Sequence, residues 1–324
     1  MKRRVVVISA VLVVVLLAGY LGISYVVYDK LSRVTYGGGD DAKNTPASFV
    51  NTYEEFAGFN ETPYLMPQYE TVRIPSRQPG IGLAGWYIPG KAGAPAVVFT
   101  HGINGCKCAP NVLTAAGMLH RNGLNVLLFD LRNHGQSDID NGRTAIGNKE
   151  YLDTLGAWDW LIAQKGFEPA QIGLYGQSLG AGTTLIAFGE EPRVAATFVD
   201  SPYADLKEIM DEELARNHYP TILADGSVVA AKVVSGDDLL AHSPQEAIDN
   251  DAGRPIFIVH GTGDQRINVH HTQQLMSLAL QDDANLTTWM PHGVGHVSAE
   301  FDLPQEYERR LVAFFNQALA SQDP

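Results

Sequence analysis

The stretch that decides the fold is "QIGLYGQSLGAGTTLIAF", Gln171 to Phe188. A short apolar run, Gln171 to Gly176, leads into Gly176-Gln177-Ser178-Leu179-Gly180, and a helix is expected from Leu179 to Phe188. A serine on so sharp a strand-to-helix turn needs small residues two positions to either side, because the backbone doubles back on itself there. Strand, glycine-flanked serine and helix together are far more specific than the pentapeptide alone.

Working outward, the same alternation recurs. Strands are expected at Ala96–Thr100, Asn125–Asp130, Val194–Asp200, Pro255–Gly261 and Asn285–Met290. Most are unbroken apolar runs, as in strands of a parallel sheet covered on both faces. Helices are expected at Pro110–Asn122, Lys149–Gln164, Thr272–Ala279 and Pro304–Ala320. Ahead of them, "YETVRIPS" (Tyr69–Ser76) and "IGLAGWYIPG" (Ile81–Gly90) flank a Pro-Gly turn and read as an antiparallel hairpin. The implied class is α/β, with a mostly parallel sheet and helices on both faces. Residues 205–251 break the alternation. Their acidic helical sequence "DLKEIMDEELARNHY" and the following "PTILADGSVVAAKVVSGDDLLAHSP", read as loop-rich, are expected to form a small inserted lid.

A serine hydroxyl is a weak nucleophile until a histidine takes its proton and a carboxylate holds that histidine in one tautomer. Downstream of Ser178, "FIVHGTGDQRIN" places Asp264 in a turn just past a strand, and "MPHGVGHVS" places His296 in a glycine-flanked loop. His292 and Asp200 are the rivals for these two roles. His296 is preferred for its place directly after Gly295, and Asp264 for its turn at the carboxyl edge of the sheet. His120, His218, His242, His260, His270 and His271 are expected to be surface or turn residues; none has metal-ligand spacing, so neither a metal nor a cofactor is expected.

In order along the chain, "THG", "DLRNHGQSD", "GQSLG", "DSPYADL", "HGTGD" and "GVGH" make the region from about Tyr69 onward resemble an α/β-hydrolase, nearest to bacterial serine-aminopeptidase and prolyl-oligopeptidase-like hydrolases and esterases. The serine, acid, histidine order is that of the fold. The resemblance implies a serine hydrolase acting on ester-type acyl bonds of a small-molecule substrate through an acyl-enzyme. A peptidase or thioesterase is the alternative within the fold. A non-catalytic binding module is disfavoured, since a scaffold has no physical need of Ser178, Asp264 and His296 together. The resemblance also makes the Asp130–Gly135 loop architectural and notes Asn268 where relatives often carry proline. It implies an oxyanion hole of two backbone amides, Leu179 after the nucleophile and Ile103 in "THGINGCKCAP" (Thr100–Pro110), with Asn104 as the runner-up.

That loop holds both cysteines of the chain, Cys106 and Cys108. A structural zinc needs four ligands, and a disulfide between residues two apart closes a cramped ring. Unbonded cysteines, passengers beside the site, are therefore expected.

Composition limits the partners. The chain has 324 residues and a formal charge of −13, and its basic residues form no patch beyond residues 2–4, which excludes a nucleic-acid footprint. Val5–Val27 is 23 residues long without a charge, and at about 1.5 Å per residue it spans a bilayer core. Lys2, Arg3 and Arg4 precede it, so an uncleaved signal-anchor over 1–27 is expected, with residues 28–50 a linker and 51–324 a hydrolase domain outside the cytoplasm. A cleaved signal peptide is the competing reading, disfavoured because its apolar core is normally about 7 to 15 residues.

Overall fold

The computed structural model describes residues 2–34 and 41–319. In chain order its elements are α1 (Lys2–Ser32), β1 (Glu70–Pro75), β2 (Gly82–Ile88), β3 (Ala96–Thr100), α2 (Pro110–Arg121), β4 (Asn125–Phe129) and α3 (Tyr151–Trp160). They continue as β5 (Ile172–Gln177), α4 (Leu179–Glu190), β6 (Ala196–Asp200), α5 (Leu206–Arg216), α6 (Leu223–Val234), α7 (Glu246–Asp249) and β7 (Ile256–Val259). The last are α8 (His270–Asp282), β8 (Leu286–Trp289), α9 (Ala299–Asp302) and α10 (Pro304–Leu319). Ala320, the expected end of the last helix, lies outside the described residues.

The strands form one eight-stranded sheet in the order β1-β2-β4-β3-β5-β6-β7-β8. β1 and β2 pair antiparallel, as do β2 and β4, and every pairing from β4 to β8 is parallel. This is the α/β-hydrolase architecture. The apolar strands bury both faces: Val97, Phe99, Val126 and Leu128 pack with α2 and α10, whereas Ala96, Val98, Leu127 and Phe129 pack with α3 and α4. The period of two along a strand thus feeds two cores at once.

Two expectations change. The stretch read as loop-rich contains α6. Its Asp-Gly-Ser and Val pairs have poor helix propensity, and packing supplies what propensity lacks. α6 lies along α1 so closely that a Cβ on Gly226 would come within 2.1 Å of Ser24 Oγ. Nor is the segment after Val27 simply a tether: α1 continues to Ser32, and Val27, Tyr28 and Ser32 are buried. Thr144 N–H donates to Ser32 O (2.8 Å), Val34 N–H to Gly142 O (3.0 Å) and Arg143 Nη1 to Ser32 Oγ (3.0 Å). Residues 35–40 of the expected linker lie outside the described part, but Phe49 beyond them is buried in the core with α2.

Candidate active site

Ser178 sits between β5 and α4 with φ 57° and ψ −121°, a conformation costly for a residue with a side chain. The cost is borne because the backbone has no room for an alternative. A Cβ on Gly180 would lie 2.1 Å from Thr100 O, and one on Gly176 2.3 Å from Gly180 O. The two glycines of the motif are therefore required by close approach, while the serine carries the strain.

The three residues singled out by spacing converge at the carboxyl ends of β5, β7 and β8. His296 Nε2 lies 2.8 Å from Ser178 Oγ, and His296 Nδ1 lies 2.7 Å from Asp264 Oδ2. With a carboxylate at Nδ1, the proton resides there and Nε2 is left to accept the serine O–H. Asp264 is buried and is itself held: Oδ1 accepts the N–H of Arg266 (2.7 Å) and of Ile267 (2.9 Å). Burial pushes its pKa up, but hydrogen bonds from His260 and His296 outweigh this and hold the carboxyl below the usual range, so it is ionised. Of the rivals, His292 faces solvent. Asp200 does not meet His296; its carboxylate accepts from Ser201 Oγ (2.9 Å) and Tyr307 O–H (3.0 Å).

The loop after β3 passes directly over the serine, close enough that a Cβ on Gly102 would lie 3.3 Å from Ser178 Cβ. Ile103 and Leu179 border the same pocket as Ser178. The loop is pinned from below by the Asp130–Gly135 turn. Asp130 accepts from Lys107 N (2.7 Å) and Lys107 Nζ (2.6 Å), and Lys107 Nζ stands 4.6 Å from the Trp86 ring centroid. His101 Nε2 accepts from Leu131 N–H (3.0 Å) while Nδ1–H donates to Gly102 O (2.7 Å). Burial, then the neighbouring His134, pushes the His101 pKa down to about 3, so it is a neutral strut.

The cysteines differ from expectation: Cys106 and Cys108 form a disulfide. The Asp130 carboxylate grips both the backbone and the side chain of the intervening Lys107, and the resulting turn brings the two Cα atoms to 5.0 Å. Asp130, the distant half of that grip, is not visible in the C-x-C spacing.

Other residues near the site were missed in the sequence. His260, expected in a turn or at the surface, is wholly buried; its Nε2 lies 2.9 Å from Ile267 O and 3.3 Å from Asp264 Oδ2, and Nδ1 lies 2.7 Å from Thr272 Oγ1. It thus reaches the same carboxylate oxygen of the acid that His296 does. His271, likewise expected outside, is also buried. Beneath the elbow lies a polar network: Gln177 Nε2 donates to Glu300 Oε1 (2.9 Å) and to the Tyr175 hydroxyl oxygen Oη (2.7 Å), and the Tyr175 and Tyr307 hydroxyls meet at 2.7 Å. Burial raises the Asp200 pKa to about 6, and burial together with the Asp200 charge raises that of Glu300 well above its ordinary value. The only sequence signal for Glu300 was its place shortly after His296.

The site opens into a cavity of about 110 Å³ whose walls include Tyr203, Ile209, Met210 and Ile267. Its two charged lining residues pair with each other, Arg266 Nη1 donating to Glu213 Oε1 at 2.6 Å. The arrangement can activate a hydroxyl, hold an apolar acyl group and offer backbone amides to a developing oxyanion.

The profile of the prolyl oligopeptidase family matches residues 114–322, a span that contains Ser178, Asp264 and His296 and begins after the Thr100–Pro110 loop. An uncharacterized protein of Mycobacterium tuberculosis is 32% identical over 203 residues, covering 57% of this chain and 69% of that one. A thiohydrolase of Aspergillus aculeatus is 30% identical over 169 residues, 52% of this chain and 51% of that one. Among solved structures, an esterase of Pyrococcus furiosus superposes with a TM-score of 0.63 at 22% identity, covering 85% of this chain and 98% of that one.

Proposed function

The chain belongs to the prolyl oligopeptidase family and is a hydrolase of the α/β-hydrolase fold, and from that premise we propose that it cleaves ester-type acyl bonds with Ser178 as nucleophile. The observation that carries this reading is the unbroken Asp264–His296–Ser178 chain at 2.7 and 2.8 Å, on a strained elbow facing an apolar pocket.

In the reaction Ser178 Oγ attacks the acyl carbonyl as His296 Nε2 takes its proton. Asp264 keeps Nδ1–H in place and stabilises the imidazolium. The carbonyl electron pair becomes an oxyanion held by the N–H groups of Ile103 and Leu179. Losing one such donor typically costs about 2.7 to 4 kcal/mol. Collapse expels the alcohol, which leaves with the proton from His296. Water, deprotonated by the same histidine, then attacks the acyl-serine and releases the acid. No cofactor or metal enters this sequence.

Ester over peptide is favoured because Glu213 and Arg266, the charged residues of the pocket, neutralise each other and leave an apolar acyl site. The likeness to a protein named as a thiohydrolase supports acyl chemistry of this kind. α1 is long and apolar enough to cross a membrane, with a mean hydropathy of 2.8 over its most apolar window. We read it as an uncleaved anchor, with the catalytic domain on the extracytoplasmic side.

The test is fluorophosphonate labelling of the full chain, followed by a series of p-nitrophenyl esters beside aminoacyl-p-nitroanilides. Labelling that vanishes in Ser178→Ala, with turnover of the esters, is expected. A wild-type chain that takes no label, a labelled Ser178→Ala variant, or preference for the anilides would overturn the reading.

A further inference from the structure

The Ser178 pocket is not closed by the hydrolase domain alone. Val27, Tyr28 and Leu31 of α1 form part of its wall, facing Met210 and Leu214 of α5 and Leu239 beyond α6. An apolar helix of membrane-spanning length and the reactive serine therefore border one cavity.

The depth of that cavity relative to a bilayer follows from the helix rise. Counting from Val5, a hydrocarbon core of about 30 Å is used up after about 20 residues at about 1.5 Å each, which ends near Ser24. Val27 to Leu31 then stand roughly 5 to 10 Å past the hydrocarbon edge. The lid is fastened to α1 across that edge, from Tyr20 to Tyr28. Tyr20 O–H donates to Ile222 O (2.7 Å) and accepts from Gly226 N–H (2.9 Å), Ser227 Oγ donates to Ser24 O (3.3 Å), and Tyr28 O–H donates to Ser235 Oγ (2.8 Å). α6 thus runs parallel to α1, and its N-terminal end lies beside Tyr20, within the span. Its outer side is open and mixed: Ile222 is 70% and Val233 78% exposed, beside Asp225, which faces Lys207, and Lys232, which pairs with Asp238. Ile222 and Val233, on a lid continuous with a bilayer helix, suit an apolar medium better than water.

We propose that the substrate is an acyl ester dissolved in the bilayer, whose chain lies along the pocket wall where Val27 and Leu31 of α1 stand with Met210 and Leu214 of α5, to bring its carbonyl to Ser178. The proposal rests on the Ser178 hydrolase reading and on an α1 that stays attached. Apolar walls select acyl chains. The anchor selects their source, because the pocket sits within a chain's length of the membrane edge while the domain is held to α1 through Ser32, Arg143 and Thr144.

The experiment uses the full chain in phosphatidylcholine vesicles, with fluorophosphonate labelling as the measure of an intact active site. A vesicle-dissolved ester, 4-methylumbelliferyl oleate, is compared with soluble 4-methylumbelliferyl acetate. The double variant Ile222→Asp/Val233→Asp, outside the pocket, is expected to cut turnover of the oleate about tenfold, by lifting the lid edge from the bilayer, and to leave the acetate unchanged. Leu31→Trp, which fills the α1 side of the pocket, is expected to lower the decanoate-to-butyrate ratio of kcat/KM at least about tenfold, since each methylene bound is worth about a fourfold gain. Equal effects on soluble and vesicle esters, or an unchanged chain-length ratio in a variant that still labels, would overturn the bilayer proposal alone. A wild-type chain that takes no label would overturn the hydrolase reading and the proposal together, and a mature N-terminus beyond Tyr28 would remove the helix the proposal needs.

Discussion

Replacing Asp264 by asparagine discriminates sharply between a carboxylate that orients the histidine and one that merely sits near it. The amide has one acceptor, and the structure dictates where it points: Oδ1 receives the N–H groups of Arg266 and Ile267 at 2.7 and 2.9 Å, which an NH2 cannot satisfy. The NH2 is therefore directed at His296 Nδ1, 2.7 Å away in the native protein, and towards His260 Nε2 at 3.3 Å. His296 must then present a lone pair at Nδ1 and carry its proton on Nε2, where it meets Ser178 Oγ. A serine facing an N–H has no base. The comparable change in other serine triads costs about 10⁴ in kcat, or about 5.5 kcal/mol of transition-state stabilisation. The assay is kcat for p-nitrophenyl butyrate with the full chain in detergent, with circular dichroism to confirm the fold. Asp200→Asn serves as the companion, because Asp200 reaches the histidine loop only through Ser201, whose Oγ accepts from Val297 N–H at 3.2 Å. A folded Asp264→Asn protein losing less than about tenfold, or an Asp200→Asn protein losing more than it, would refute the assignment of Asp264.

The disulfide and the buried histidines yield two further expectations. Cys106→Ser with Cys108→Ser opens a ring of only three residues, which by chain entropy is worth about 1.6 kcal/mol, so a lower urea midpoint with most ester turnover retained is expected. A folded but inactive double variant would show that the bond shapes the oxyanion loop. His101 is protonated near pH 6.5 in the unfolded chain but only near pH 3 in the fold, so between these values the unfolded state binds the extra proton. Its contribution is therefore complete above pH 6.5 and is lost as pH falls towards 3, with a slope of about 1.4 kcal/mol per pH unit. Urea unfolding followed by tryptophan fluorescence at pH 6.5 and 5 measures this, and an unchanged slope in His101→Gln would contradict it.

The difference between what was legible in the sequence and what was not follows the range of the interactions. The sheet and its crossovers are carried by local pattern: "AVVFT" and "NVLLF" are apolar throughout because each strand feeds two cores, and no distant residue is needed to read them. The elbow is legible for the same reason, since Gly176, Ser178 and Gly180 record in five residues a crowding that the fold creates against Thr100. Asp264 and His296 lie 32 residues apart, and each was placed by its own turn and its order in the chain. What escaped depends on partners far away in sequence. Asn44 Nδ2 reaches Cys108 O across 64 residues, and Asp130 holds Lys107 from 23 residues downstream, so the turn that joins the cysteines has no signature of its own. His260 looked like a turn residue until Ile267 and Asp264 enclosed it. The sharpest case is α6: its sequence is a poor helix in isolation, and its order depends on Tyr20, Ser24 and Tyr28, about 200 residues earlier. Those three residues had been assigned to an anchor and a tether, roles in which they touch nothing. Once they are seen to hold the lid, hydropathy alone explains why α1 is apolar, but not why Gly226 must lack a side chain or why Tyr20 interrupts the aliphatic run. Both follow from a helix that packs against the lid of its own chain through Tyr20, Ser24 and Tyr28.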